Sequence, residues 1–263
     1  MIIQPGCMNR AWGAFTLADA LSGIAAAGFT SVSFCSQQGV DPVRPDSSEA
    51  ELDEIRRELD AAGLSLDLII AGPDIQLPDD EIIPSFEKLA ANLARVGGKY
   101  AIACGHSEPS RYEEYYRLLA ESCDAAAAHG IGILLKPHGG VSAAADELLA
   151  ALDRVDRPNF GICYDPGNIL YYTEKRPEED LLKIADRIDA LCLKDERGGL
   201  HGEVMITLGT GDVDFDAIFD ILREAGFKGP TCVECLGGST LEEINAEAKS
   251  TIEFLKRKGV MLG

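Results

Sequence analysis

The stretch GILLKPHGG, residues 132–140, carries Gly132, Ile133, Leu134 and Leu135 without a polar break into Lys136 and His138. An apolar run with no polar face reads as a strand covered on both sides, the condition of a parallel sheet wrapped by helices. The charge at its close marks where the strand meets either a ligand or water. The same unit recurs along the chain. Strand-like segments stand at 2–7, 31–35, 65–71, 99–104, 131–136, 160–164, 189–194 and 230–235. Amphipathic segments of helical period alternate with them at 16–27, 47–62, 82–96, 110–129, 142–153, 175–187, 213–225 and 240–257. The glycines of AAGF, AAGL, HGIG and EAGF fall where left-handed helix ends are wanted, and Ser47, Asp212 and Ser239 with Glu242 are the expected N-caps. Eight strand-helix units in 263 residues predict an α/β fold, a single-domain (β/α)8 TIM barrel over residues 1–263. An open doubly wound sheet is the alternative, but no G-x-G-x-x-G follows the first strand.

Composition narrows the class. The chain is 46% hydrophobic and 26% charged, and no apolar stretch reaches the roughly 18 residues of a membrane helix. MIIQPGCMNR lacks a basic region followed by a long apolar segment, so a cytoplasmic protein is expected. A net charge of −20 repels phosphate backbones and anionic lipid, which argues against nucleic acid and membranes as partners. The eight cysteines are scattered. Cys232 and Cys235 form a C-x-x-C within a strand, where alternation points the sulfurs to opposite faces, so buried reduced thiols are expected.

In a barrel of this kind the chemistry is built where the strands end. Those ends collect His106, then Lys136 and His138, then Asp165 and Asn168, then Lys194, Asp195 and Arg197, and finally Glu234. Burying so many charges is costly unless they pair or bind a ligand. Each also has a plain reading. Lys136 could snorkel to water, His138 could bond a loop, Asp165 could serve the DPGN turn, and Glu234 could form a structural salt bridge to Lys136 or Lys194. CMNRAWG places Asn9, Arg10 and Trp12 after the first strand, where Trp12 is either an aromatic wall for a sugar face or a core residue. Arg197 and His201 lie in a glycine-rich segment that reads as a lid or as exposed loop, and LGTGD within it lacks the spacing of a P-loop.

The segments CYDPGNIL, LCLKDERGG, LGTGDVDFDAIFDIL and CVECLGG, in this order and at these strand ends, resemble the xylose isomerase-like TIM barrel superfamily. That superfamily comprises sugar isomerases and epimerases together with inosose dehydratases and type-four AP endonucleases. Its motifs here lie within residues 131–238. The resemblance implies a divalent metal (manganese, magnesium, cobalt or zinc) held by a glutamate of strand five, an aspartate of strand six, a histidine of strand seven and a glutamate of strand eight. The cation would grip adjacent oxygens of a small polyol or ketose while the glutamates move a proton beside the carbonyl. Asp165 and Glu234 match their positions. The other two do not, since Lys136 stands at the glutamate and Cys192 at the histidine.

A protonated lysine has no lone pair to donate and repels a cation. Either a weak metal site survives on Asp165, Glu234 and His138, helped by His106 or His201, or Lys136 takes over the metal's electrostatic task with Glu234 as base. A neutral Lys136 acting as base or Schiff-base former is a third reading. Cys192 is a small buried residue or a thiolate ligand. The expected enzyme is thus a sugar isomerase or epimerase with Lys136, Glu234 and His138 catalytic, and with His106, Asn168, Lys194, Asp195, Arg197, His201 and Trp12 at the substrate. An inosose dehydratase-like lyase and a non-catalytic sugar-binding barrel are the alternatives. Relatives of this kind also lead one to expect a homo-oligomer.

Overall fold

Eight parallel strands follow one another around a closed barrel in the computed structural model, which describes residues 3–260. They are β1 (Pro5–Met8), β2 (Ser31–Phe34), β3 (Ser65–Ile70), β4 (Tyr100–Cys104), β5 (Gly132–Lys136), β6 (Phe160–Tyr164), β7 (Ala190–Leu193) and β8 (Thr231–Val233). The first residue of the first expected strand, Ile2, lies outside the described residues. β8 returns to β1 with Val233 opposite Cys7, which excludes the open sheet and leaves no unpaired edge.

Around the barrel run α1 (Leu17–Ala27), α2 (Glu49–Ala62), α3 (Asp79–Arg95), α4 (Tyr112–Ala127), α5 (Ala145–Val155), α6 (Pro166–Tyr172), α7 (Pro177–Leu181), α8 (Phe215–Glu224) and α9 (Leu241–Arg257). Gly28 and Gly63 close α1 and α2 in the left-handed conformation, as their sequence positions require. The N-caps sit one or two residues beyond those expected. Ser48 with Glu51, Thr240 with Glu243, and Asp214 take the places assigned to Ser47, Ser239 and Asp212. For α9 the spacing S-x-x-E and T-x-x-E is satisfied in both registers, and Glu243 in fact receives the amides of both Ser239 and Thr240. A larger difference lies after β6. DPGN opens a helix, α6, instead of only turning the chain: Asp165 Oδ1 accepts the Asn168 amide at 2.9 Å, and Pro166 occupies the first helical position, where its missing N–H is no loss. The expected helix at 175–187 correspondingly shrinks to α7.

Two cores flank the strands, and the two-residue alternation sorts side chains between them. Ile133 and Leu135 of β5 pack outward against the helices, whereas Leu134 packs inward with Met8, Leu68, Ile102 and Cys163. One further step of two along each strand passes from this apolar floor to a charge: Leu134 to Lys136, Cys163 to Asp165, Cys192 to Lys194, Cys232 to Glu234. The cysteines therefore serve as small fillers of a narrow interior, and all eight are free thiols. Cys232 joins the inner cluster and Cys235 does not, in keeping with their alternation. Trp12 corrects an expectation. It is wholly buried, with its indole N–H donating to Asn245 Oδ1 of α9 at 2.9 Å, so it is a core residue and no wall of a sugar site.

The PHGG turn after β5 is held by close packing. Gly140 has φ 53°, and a Cβ there would come within 2.2 Å of the His106 carbonyl oxygen and 2.5 Å of Ser107 Cα. Gly140→Ala combines a left-handed penalty with a backbone clash and should cost about 2 kcal/mol or more. A lower urea midpoint at unchanged m-value is the expected result.

Candidate active site

Four strand ends bring their charges to one place. Lys136 Nζ, at the end of β5, lies 2.9 Å from Asp165 Oδ2 and forms an ion pair with Glu234 Oε2. Lys194 Nζ, just past β7, is 3.3 Å from Glu234 Oε1 and 3.5 Å from Asp165 Oδ2. Arg10, in the short helix that follows β1, reaches across the mouth so that Nη1 bonds Glu234 Oε1 at 2.7 Å. The Cys192 thiol donates to Glu234 Oε2 at 3.0 Å from below. Lys136, Lys194 and Glu234 are buried, and Asp165 has no exposed surface at all. Lys136, Lys194 and Glu234 line a cavity of about 230 Å³ together with Arg10, His138 and Asn168. A neighbouring cavity of about 350 Å³ shares Cys35 and Ile70 with it, but the paired charges belong to the smaller one.

The electrostatics follow from this packing. Burial opposes the charge on Lys136, but the facing carboxylates of Glu234 and Asp165 outweigh it and hold its pKa well above that of an ordinary lysine. Burial likewise opposes the charge on Lys194, and Asp165 and Glu234 raise its pKa in turn. Glu234 would be pushed up by burial, yet Lys136, Lys194 and Arg10 hold it well below the usual carboxylate range. Both lysines are thus ammonium ions and Glu234 is a carboxylate near neutrality. His138 goes the other way. Partial desolvation and the nearby Lys136 and Lys194 lower its pKa from 6.5, which leaves it neutral, with Nε2 2.9 Å from the Tyr172 hydroxyl.

A divalent ion at this place would need several free donor atoms. Asp165, Cys192 and Glu234 each offer a ligand atom within 4.8 Å of the others, the one such group of three among the described residues. The ammonium of Lys136 stands among those same atoms, paired with both carboxylates, and burial pushes the Cys192 thiol well above its ordinary pKa, so it stays protonated. His138 is not part of the group; its Nε2 is engaged with Tyr172. The residues present do not fit a resident divalent cation.

Other expected site residues scatter. Asn168 lines the cavity, and its amide donates to the Pro137 carbonyl at 2.6 Å, which ties α6 to the end of β5. Asp195, expected at the substrate, is wholly buried and accepts the amides of Glu196, Gly209, Gly211 and Val213; it shapes the loop that leads to α8. Arg197 bonds the Thr210 carbonyl within that loop. His201 rests edge-on against Tyr171 and donates its backbone N–H to the Tyr171 carbonyl, while Val204 of the same loop reaches the cavity wall. His106 lies outside that wall, with its ring against Tyr115. Sequence reasoning passed over Arg10, Tyr171 and Tyr172. Arg10 was visible beside Trp12 after the first strand; the two tyrosines required α6 to be recognised as a helix that carries them back over the mouth.

Comparison with known proteins agrees with this architecture. The family model described as xylose isomerase-like TIM barrel matches residues 21–258. A solved xylose isomerase domain protein from Planctomyces limnophilus superposes with a TM-score of 0.80 at 22% identity, covering 99% of both chains. An L-ribulose 3-epimerase gives 0.77 at 18% identity, over 98% of this chain and 94% of that one. Among curated proteins, the 3-oxo-isoapionate decarboxylase of Pectobacterium atrosepticum is 37% identical over 83 residues, which is 29% of this chain and 30% of that enzyme's length. With a closed eight-stranded barrel, polar groups gathered at its C-terminal mouth and a family match across nearly its whole length, the chain belongs to the xylose isomerase-like TIM barrel family.

Proposed function

We propose that this protein is an enzyme that forms an enolate from a small hydroxylated carbonyl compound, with the ammonium of Lys136 in the electrostatic role that the family gives to a metal. The supporting observation is the position of Lys136 Nζ between Asp165 and Glu234 at the cavity wall. Exchanging a carboxylate for an ammonium at this position raises the formal charge by two units, the charge of the ion it displaces. Lys136 donates one N–H to Glu234 and faces Asp165 as an ion pair without a hydrogen bond, which leaves donor capacity for a substrate oxygen. As the carbon beside the carbonyl loses its proton, negative charge grows on that oxygen, and a fixed ammonium in a desolvated site stabilises it with no reorganisation.

The base in this reading is His138 through Nδ1, with its Nε2–H donating to the Tyr172 hydroxyl. Glu234 is bound to three cations and has a depressed pKa, so it is poorly matched to proton abstraction at neutral pH. Its task is to position Lys136, Lys194 and Arg10. His138 is neutral at the rim, and the thiol of Cys35, raised to about 11 chiefly by burial, is no second base. One base acting on one face suits isomerisation, since epimerisation also needs a proton donor on the opposite face. A second reading, decarboxylation of a 3-oxo acid, is favoured by the lack of an unpaired carboxylate base in the cavity, because this reaction needs none. The C–C bond to the carboxylate breaks, CO₂ leaves, the bonding pair passes to the carbonyl oxygen beside Lys136, and the carbon takes up a solvent proton.

Proton exchange into substrate from D₂O, followed by NMR over a panel of four- to six-carbon ketoses and oxo acids, tests the reading. Turnover or exchange should persist with EDTA, and Lys136→Met should lower kcat by about 10²- to 10³-fold, the usual effect of removing an oxyanion donor. Full activity in that variant, or activity that EDTA abolishes and metal restores, would sink the assignment.

A reciprocal experiment rebuilds the family's ligand set. Lys136→Glu combined with Cys192→His should bind Mn²⁺ or Co²⁺ in calorimetric titration, and the wild type should not.

The pH profile has a definite sign. Neutral His138 is the active form and its pKa is lowered, so kcat/KM should stay level upward from pH 6.5 and fall only at more acid pH. The lysine pKa values lie above 10.5, so no alkaline limb should appear below that pH. A midpoint above 6.5 on the acid side would remove His138 from the role of base.

A further inference from the structure

Three cations, Arg10, Lys136 and Lys194, face two carboxylates, Asp165 and Glu234, at this cavity. The rest of the wall is uncharged: Cys35, Cys104, Asn168, Tyr172 and a neutral His138. A surplus of positive charge is the opposite of the chain's overall balance, −20, so the mouth is not a sample of the general surface. Nor are the cations equivalent. Lys136 and Lys194 are buried and each pairs with both carboxylates, whereas the Arg10 side chain is 44% exposed. Its one hydrogen bond among the described residues is from Nη1 to Glu234, which leaves the remaining donors of a planar fork at the cavity.

We propose that the substrate carries a carboxylate seated on Arg10 beside Lys194, so that the site selects polyhydroxy oxo acids over neutral ketoses. The proposal rests on the enolate reading only for placing the carbonyl at Lys136. A neutral sugar leaves the surplus charge uncompensated in a partly desolvated cavity, whereas a monoanion completes the pairing and adds charge-assisted hydrogen bonds. Phosphate would share the recognition chemistry. Its second negative charge exceeds the single surplus, and a phosphate ester is a larger body for about 230 Å³.

The test is an equilibrium measurement that needs no turnover, so it can fail while enolate chemistry stands, and the D₂O experiment can fail while it succeeds. Calorimetric titration of the purified protein with D-ribonate, D-ribulose and D-ribulose 5-phosphate compares three probes with one five-carbon backbone. Ribonate should bind roughly tenfold or more tighter than ribulose, the size of one charge-assisted contact, and should weaken as salt is raised. Arg10→Gln should erase that preference while leaving ribulose binding within about twofold, and Arg10→Lys should recover part of it. Since Arg10 is half-exposed and Glu234 keeps both lysines, a thermal melt close to wild type is expected for both variants. Ribulose binding as tight as ribonate, no detectable ribonate binding, tightest binding of the phosphate, or an equal loss for all probes in Arg10→Gln would each overturn the proposal.

Discussion

The ion pair between Lys136 and Glu234 is the contact around which the barrel mouth is arranged. Each partner is buried, and each is acceptable there only because the other, with Asp165 and Lys194, is in place. Taking an ion out of water costs several kcal/mol, and apolar residues of similar volume would serve folding as well or better. Stability therefore does not explain the array. Linkage nevertheless ties it to pH. Glu234, with its depressed pKa, contributes stability that is present above 4.5 and is lost as pH falls through its folded value. Lys136, with its elevated pKa, contributes stability that is present below 10.5 and is lost as pH rises through its folded value.

Much of this was legible in the chain because the barrel imposes two simple periods. Apolar runs without a polar face, spaced by helical segments, gave eight strands whose observed limits lie within a few residues, and the close of each run named the polar residues to collect at the mouth. Lys136, Asp165, Lys194 and Glu234 were found for this reason. What escaped depends on geometry that no local pattern carries. Asp195 stands next to Lys194 and looks equally functional, but the odd position turns it into a loop that supplies four amides. Trp12 and Arg10 lie two residues apart in one short helix, and only the packing of α1 and α9 decides that the aromatic goes to the core and the guanidinium to the mouth. The extent of α6 was hidden because DPGN is as good a turn as it is a helix start.

The two departures from the family's ligand pattern make physical sense together. A lysine at 136 reaches further than a glutamate, and the room it needs is vacated by the shorter cysteine at 192. The thiol then donates to Glu234, so the carboxylate keeps a neutral donor where an imidazole would have stood. Either change alone would be awkward: a lysine against a histidine crowds and adds a second basic group, and a cysteine beneath a glutamate leaves a gap and a third carboxylate without a cation.

Asp165 is different, and the difference lies in its two oxygens. One starts α6 by capping the Asn168 amide, and the other meets the lysines. From α6 hang Tyr172, which meets His138, and Tyr171, whose carbonyl holds the loop at His201. A single carboxylate thus joins the folding of one wall to the charge balance of the cavity, and a substitution there reports on both at once. Lys136 has no such second duty, since its side chain pairs only with those carboxylates. In a lineage that changes its chemistry, side chains without structural obligations are free to change first, and the position that also starts a helix remains as the fixed point around which a new site is assembled.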